Sequence, residues 1–276
     1  KCNTMLAIHP DDKKTIEKNL SLLKREKLSP LDIFLKTYTP EGEKKAVERC
    51  LRIIEKTRTL LHVCHVSTSV ALHAIQNAKE RSLNVTCEVT PHHLLLKTSD
   101  LKHWGAFAKT LPPLRTQQDI EALWEGLKKG IIDVIATDHA PHAVEEKEKG
   151  FLEAPPGVPG FETMLPLMLT MVKYEKMRLD ALVALTSHNP AKIFGLRNKG
   201  EIAEGFDADL VLIDMKKEYL IKPELFSSKA KYSPFSGWKA KAKVVATIVN
   251  GIAVMEDDEI LVPAGSGKIL ERGAFS

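Results

Sequence analysis

Leu60-Leu61-His62-Val63-Cys64-His65 decides the fold of this chain, because it is a short apolar strand that ends in a side chain able to do chemistry. Three other segments repeat this pattern, and helical patterns alternate with them: 4–9 (TMLAIH), 84–90 (NVTCEVT) and 132–138 (IDVIATD). Strands that alternate with helices form parallel β/α units. The sequence therefore predicts an α/β fold whose polar strand ends share the carboxyl edge of one parallel sheet.

Apolar residues recur with helical spacing between and after these strands. The predicted helices include the segments 46–54, 71–78, 120–127, 162–173 and 180–187. The third of them has a capping-box-like pair, Thr116 and Asp119, at its start and Gly130 at its end.

Four β/α units make half of a (β/α)₈ barrel, and half a barrel has open sheet edges that another half or a second copy must cover. Residues 1–196 are predicted to form the second half of a TIM-type barrel, and 197–276 a C-terminal extension with a small β domain of the sandwich kind. The strands predicted there are 210–213, 219–221, 244–249 and 252–255, with Asn250-Gly251 as a hairpin turn between the last two.

The composition is that of a globular protein: 276 residues, 43 % of them apolar, are enough to bury a large core. Forty basic and thirty-six acidic residues give a net charge of +4 without a long basic run, so neither nucleic acid nor a membrane is indicated as a partner. The four cysteines have irregular spacings, which predicts buried free thiols in a reducing cytoplasm.

Side chains alternate along a strand, and this predicts which residues point into the barrel. His9 shares a face with Ala7, His65 with Leu61 and Val63, and Asp138 with Val134 and Ala136. The same rule turns His62 toward the helix layer, and turns His139 likewise to the face opposite Asp138. Imidazole and carboxylate are the usual ligands of a catalytic Zn²⁺, so His9, His65 and Asp138 are predicted to bind a metal and to leave one position open for water.

Three further residues have two interpretations each. Glu88 is either a carboxylate hydrogen-bonded within the barrel or a catalytic group. His142, in the loop past the fourth strand, either contacts substrate or is solvated. Arg115 either clamps a substrate carboxylate, which a guanidinium binds as a fork, or has a structural role at the start of a helix.

The motifs taken together resemble the dihydroorotases of the amidohydrolase superfamily. The segments that carry the resemblance are 65–68 (HVST), 88–94 (EVTPHHL), 112–115 (PPLR), 137–142 (TDHAPH), 157–162 (GVPGFE), 189–192 (NPAK) and 205–210 (GFDADL). They occur in the family's order and cover nearly the whole chain. The His92-His93 pair is more like a dihydroorotase than an allantoinase or hydantoinase, which tend to have His-Tyr there.

The resemblance implies reversible cyclisation of N-carbamoyl-L-aspartate to L-dihydroorotate, with one or two zinc ions bound. His9 and His65 match metal ligands, and Asp138 matches the residue that binds metal and shuttles the proton. His142 and the loop with Val158, Pro159 and Gly160 match substrate-binding positions. Leu111 stands at a substrate-binding position where the family often has Asn, so that contact is either absent or supplied differently.

The resemblance also implies groups that this sequence does not contain: a His-x-His, an Arg and a bridging carboxylate or carboxylated Lys. We therefore expect the numbering to begin within a longer polypeptide, whose upstream half-barrel completes the site, and a homodimer that also associates with aspartate transcarbamoylase. Two alternatives stay open. One is an allantoinase or hydantoinase; the other is a catalytically silent partner of aspartate transcarbamoylase, against which the retained His9, His65 and Asp138 argue.

Overall fold

A computed structural model of the chain describes residues 4–23 and 26–270. The chain divides into two compact units, Lys1–Phe161 with Pro223–Pro234, and Glu162–Lys222 with Phe235–Ser276. The predicted domain boundary between residues 196 and 197 stays a prediction.

The first unit is built on a parallel sheet with the strand order β1-β2-β3-β4. Its strands are β1 (Met5–Ile8), β2 (Leu60–Val63), β3 (Val85–Val89) and β4 (Val134–Ile135). The register pairs Met5 with Leu60, Leu61 with Val85, and Glu88 with Val134. The predicted α/β class with a parallel sheet is confirmed, and each strand is shorter than its sequence pattern.

Helices connect these strands. They are α1 (Lys13–Leu23), α2 (Pro30–Thr37), α3 (Pro40–Thr57), α4 (Ser69–Glu80), α5 (Pro91–Leu95), α6 (Asp100–Trp104), α7 (Gln117–Lys128) and α8 (Val144–Lys147), with a 3₁₀ turn at Gly105–Ala108. Hydroxyl side chains cap several amino-terminal ends; Thr39, Thr68 and Thr90 each accept a backbone N–H of the first turn. The predicted capping box of Thr116 and Asp119 is present at α7.

The core lies between the sheet and the apolar faces of α3, α4 and α7. Val47 and Ile75 are buried there against sheet residues such as Val63 and Cys87. Each such side chain stabilises the fold by about 1.5–3 kcal/mol. A Cβ at Gly126 of α7 would lie 2.6 Å from Leu72 Cδ2 of α4, so a larger residue there would require the Leu72 side chain to move.

Strand β1 is more exposed than the apolar pattern of 4–9 predicts. Leu6 is 47 % exposed, because β1 pairs only with β2 and its other edge is open among the described residues.

The prediction of buried free thiols holds in part: Cys50, Cys64 and Cys87 are free, but only Cys87 is buried. Cys2 lies outside the described residues.

The second unit holds helices α9 (Met164–Lys173), α10 (Leu179–Val183) and α11 (Asn189–Phe194), and strands β5 (Leu210–Asp214), β6 (Tyr219–Leu220), β7 (Lys239–Ala240), β8 (Lys243–Val249), β9 (Ile252–Glu256) and β10 (Glu259–Ile260). The order β10-β9-β8-β5 forms an antiparallel sheet, and β6 pairs with β7. The Asn250-Gly251 hairpin is confirmed: both residues have positive φ, 51° and 77°, as a type I′ turn requires.

One helix prediction is wrong in its bounds. The sequence predicts a single helix over 180–187, but α10 ends at Val183 and a π-helical turn, Ala184–His188, leads into α11.

No helix within 4–23 and 26–270 combines the length and apolar composition needed to cross a membrane.

Candidate functional site

The three predicted metal ligands lie just past the carboxyl ends of their strands. His9 follows β1, His65 follows β2 and Asp138 follows β4. His65 and Asp138 have left-handed backbones, with φ of 36° and 45°, which non-glycine residues seldom adopt. The chain therefore turns sharply at these two residues.

The structure brings the imidazoles of His9 and His65 together. His9 Nδ1 lies 3.0 Å from His65 Nε2, and the rings meet edge to face. Zn–N distances of about 2.0–2.1 Å place two nitrogens on one tetrahedral ion about 3.3 Å apart. The two nitrogens are thus spaced as ligands of one ion would be.

Asp11 orients the His9 ring, since its Oδ2 lies 2.8 Å from His9 Nε2. This hydrogen bond raises the pKa of His9 against the opposing effect of burial, whereas burial chiefly lowers the pKa of His65. A carboxylate on the distal nitrogen fixes the tautomer of a ligating His, because the other nitrogen then presents its lone pair. His9 Nδ1 is therefore oriented for a cation that it would share with His65 Nε2.

Asp138 stands near this pair. Its negative charge favours protonation of both imidazoles, so it adds to the Asp11 hydrogen bond that raises the pKa of His9 and opposes the burial that lowers the pKa of His65. Among the described residues its carboxylate receives no hydrogen bond and no ion pair. The carboxylate is thus available to a metal, a water or a substrate.

The predicted facing of β2 is wrong. Leu61 and Val63, expected inside the barrel, are buried on the same face as Val85 and Cys87, the face that α3 and α4 cover. His62, expected among the helices, lies on the opposite face with Thr86 and Glu88. The alternation misleads because β2 ends at Val63, so its two-residue period does not extend through the turn at His65.

His62, Cys64 and Glu88 form a second cluster that the sequence analysis missed. Within the described ranges their ligand atoms lie within 4.8 Å of one another, and His62 Nε2 is 3.0 Å from Glu88 Oε2. Burial, with the charges of Glu88 and Asp138, raises the pKa of the Cys64 thiol to about 12. Metal ligands must be deprotonated, so His9 and His65 are the better cation site. Glu88 is hydrogen-bonded on the interior face of the sheet, as one of its two interpretations held.

The geometry of Arg115 favours its structural interpretation. Its buried guanidinium donates to Ser67 Oγ at 3.0 Å, to the Tyr38 carbonyl at 2.7 Å and to Glu43 Oε2 at 3.2 Å. Glu43 is buried as well, so the ion pair already neutralises the arginine. Its role as a carboxylate clamp stays a prediction that these contacts do not support.

Two buried lysines hold the 151–161 loop, which contains the predicted substrate contacts Val158, Pro159 and Gly160. Lys109 Nζ donates to the carbonyls of Phe151, Leu152 and Ala154, at 2.8, 3.1 and 2.7 Å. Lys147 Nζ donates to those of Pro155 and Gly157, both at 2.9 Å. The ammonium groups thereby satisfy five carbonyl oxygens of one loop.

The far end of this loop rests against the segment after β4. His139 Nδ1 accepts the backbone N–H groups of Gly160 and Phe161, at 3.0 and 3.2 Å, and its ring stacks on that of Phe161. A Cβ on Gly160 would lie 2.8 Å from the Thr137 carbonyl oxygen. Only a glycine allows this approach, which brings the loop next to Asp138.

Two other predicted substrate contacts are His142, which lies beside the 151–161 loop, and Leu111, which follows β3 in the chain. His142 Nε2 lies 3.0 Å from the Pro156 carbonyl, and its backbone N–H donates to Tyr232 Oη at 3.4 Å. Leu111 is half-buried and precedes Pro112 through a cis peptide bond. The substrate-binding roles of these residues and of the loop remain predictions.

Lys109, Lys147 and His139 are functional candidates that the sequence analysis did not find. No local pattern marks a lysine that will be buried by loop carbonyls. His139 was visible within 137–142, but alternation from Asp138 directed it away from the site.

Comparison with known proteins places these observations in a family. The family model described as "Amidohydrolase family" matches residues 2–254. A dihydroorotase of Methanothermobacter thermautotrophicus is 40 % identical over 265 residues, which is 96 % of this chain and 59 % of the relative. A dihydroorotase of Pyrococcus horikoshii is 44 % identical, over 85 % of this chain and 54 % of its own.

Solved structures share the fold. An L-hydantoinase (dihydropyrimidinase) from Arthrobacter aurescens superposes with a TM-score of 0.95 at 32 % identity, over 98 % of this chain and 61 % of that one. A dihydropyrimidinase from Brevibacillus agri gives 0.93 at 28 % identity, over 99 % and 61 %. The chain thus spans between half and two thirds of the lengths of the proteins that it matches.

Proposed function

The chain belongs to the amidohydrolase family, and on that premise we propose that it supplies catalytic groups of a zinc-dependent dihydroorotase. The reaction is the reversible cyclisation of N-carbamoyl-L-aspartate to L-dihydroorotate. The observation that carries the proposal is the 3.0 Å approach of His9 Nδ1 to His65 Nε2, with the carboxylate of Asp138 nearby and unpaired among the residues that the structure describes.

The residues fit a zinc ion. His9 and His65 would hold it through Nδ1 and Nε2, and Asp138 would complete this chain's share of the ligands. Zinc, when bound, supplies Lewis acidity that polarises a carbonyl and makes water acidic near neutral pH. The Asp11 hydrogen bond supports this assignment, because it presents the His9 Nδ1 lone pair toward His65.

Asp138 moves the proton. In the hydrolytic direction its carboxylate accepts the proton that water loses on attacking the ring amide carbonyl, and returns it to the departing nitrogen. In the cyclising direction it removes the proton from the ureido nitrogen that closes the ring. The 151–161 loop and His142 would bind the substrate on the side next to Asp138.

Dihydroorotate is favoured over hydantoins by sequence similarity. The relatives named dihydroorotase are more similar to this chain than the hydantoinases of known structure are. The alternative substrate class retains support from the close superposition on those hydantoinases. The predicted homodimer and the association with aspartate transcarbamoylase are tested separately, by light scattering and by copurification.

Substrate assays of the zinc-loaded full-length gene product test the proposal. Rates on L-dihydroorotate, allantoin and hydantoin are measured side by side, and we expect the highest kcat/KM with dihydroorotate. A chelator should abolish turnover and added zinc should restore it. Preferred turnover of allantoin or hydantoin would assign the alternative, and zinc binding without any turnover would identify a silent homologue.

A further inference from the structure

Two ring nitrogens are buried without a hydrogen-bond partner in the described part of the chain: His65 Nδ1 and His92 Nε2. Their residues are only 6 % and 2 % exposed. A buried polar atom without a partner costs about 1–3 kcal/mol, so native proteins pair nearly all of them. These two atoms therefore call for an explanation.

The backbone brings the two residues into the same neighbourhood. The N–H of Val66 donates to the Glu88 carbonyl at 2.8 Å, which ties the segment after β2 to the end of β3. Helix α5 begins shortly afterwards at Pro91, and His92 lies in its first turn. Burial lowers the pKa of His92 to about 3, and the charge of His65 lowers it further, so His92 is neutral near pH 7.

The tautomers of the two imidazoles explain why His65 Nδ1 and His92 Nε2 would interact. A cation bound by both His9 Nδ1 and His65 Nε2 uses the lone pairs of those two atoms. A neutral imidazole then has its hydrogen on the other nitrogen. Asp11 accepts that hydrogen from His9, but the hydrogen on His65 Nδ1 still lacks an acceptor. A neutral His92 with its hydrogen on Nδ1 offers a lone pair at Nε2.

We propose that His92 is a positioning residue whose Nε2 accepts the Nδ1–H of His65 through one ordered water, and so fixes that ring for metal binding. The inference rests on the proposed function only in treating His65 as a ligand. His92 would act for His65 as Asp11 acts for His9. Such partners of ligating histidines typically change metal affinity by about 10–100-fold.

The neighbouring residue provides a matched control. His93 is on the same short helix and equally buried, but both its nitrogens have partners: Nδ1 lies 2.8 Å from Thr90 Oγ1 and Nε2 3.1 Å from the Pro112 carbonyl. Replacing either histidine removes one buried imidazole. Only His92→Leu would also remove the acceptor for His65.

Zinc affinity of the full-length gene product provides the first test. We expect His92→Leu to raise the zinc dissociation constant about 10–100-fold, and His93→Leu to lower thermal stability with less than about a threefold change in zinc affinity. His92→Gln, which retains a polar acceptor, should recover part of the affinity and serves if His92→Leu does not fold. Equal zinc affinities in the His92 and His93 variants would overturn the proposal.

Nitrogen NMR of the histidine rings separates this inference from the proposed function. The zinc-bound protein should show His65 protonated at Nδ1, with a hydrogen-bonded proton that disappears in His92→Leu and persists in His93→Leu. If the wild type binds no zinc, the proposed function fails and this inference fails with it; if the wild type binds zinc, the response of His65 Nδ1 to His92→Leu decides this inference alone. A His65 Nδ1 signal that does not respond to His92→Leu would refute it.

Discussion

The paired imidazoles of His9 and His65 and the 151–161 loop belong to the same unit, yet different interactions place them. The imidazoles follow strands whose register is fixed by the parallel sheet. The loop has no strand of its own, and side chains distant in sequence hold it: Lys109 at its start, Lys147 at its middle and His139 at its end. The positions of the imidazoles come from strand pairing, and that of the loop from ammonium and imidazole contacts together with two backbone hydrogen bonds, from Gly157 N–H to the Lys109 carbonyl and from Ala140 N–H to the Val158 carbonyl.

The difference predicts that the two regions can be changed separately. A strand end moves only if the sheet moves, so substitutions at the imidazole pair should alter metal binding and chemistry without displacing the loop. Removal of one lysine takes away two or three of the loop's hydrogen bonds while the sheet persists. Substitutions there should weaken substrate binding more than they slow the chemical step.

The largest effect is expected at Asp138. Asp138→Asn retains the size of the side chain but cannot take up a proton, so kcat should fall by about 10²–10⁴-fold. Thermal stability should change little, because the carboxylate receives no hydrogen bond from the described residues. Steady-state assays and thermal melts of the full-length gene product measure both, and a kcat within tenfold of wild type would exclude Asp138 as the proton carrier.

An intermediate effect is expected at Lys109. Lys109→Met leaves three loop carbonyls without their donor, so KM should rise roughly tenfold with a much smaller change in kcat. Zinc content should stay at the wild-type value, because the lysine contacts the loop and not the imidazoles.

Lys199→Met is the control for Lys109→Met. Lys199 forms ion pairs with Asp207 and Asp209, all three in the second unit. Its replacement should lower stability at unchanged KM. An equal rise in KM in both variants would show that loss of a lysine acts through general destabilisation and not through the loop.

Much of the fold could be predicted because it is periodic. The strand segments around 60–65 and 84–90, the apolar face of α3 and the Asn250-Gly251 turn all depend on local patterns. The predictions are wrong where the regular spacing of apolar residues stops at the end of a strand or does not reveal the neighbours of a strand. The alternation puts His62 on the wrong face because β2 stops at Val63, and the apolar pattern of 4–9 does not show that β1 lies at an edge of the described sheet.

The candidate site divides in the same way. His9, His65 and Asp138 were found because polar residues at the ends of apolar strands are conspicuous in a sequence. Lys109 and Lys147 were missed because lysine is ordinarily a surface residue, and only the assembled loop supplies the carbonyls that make its burial tolerable. Long-range contacts of one side chain with several backbone groups leave no periodic pattern.

A further effect is expected in the pH dependence of stability, which tests whether burial among the loop carbonyls shifts the pKa of the Lys147 ammonium group. Burial, and then the charge of Lys109, lowers the pKa of Lys147 to about 8 from 10.5. The unfolded chain therefore binds more protons than the folded one between these values, so the free energy of unfolding should rise with pH from about 8 to 10.5 relative to Lys147→Met. Urea unfolding of both proteins at several pH values measures this difference. The difference in unfolding free energy between the two proteins should not change with pH below pH 8, where Lys147 is charged in both the folded and the unfolded state. If this difference were also constant from pH 8 to 10.5, the loop would not perturb the pKa of the Lys147 ammonium group.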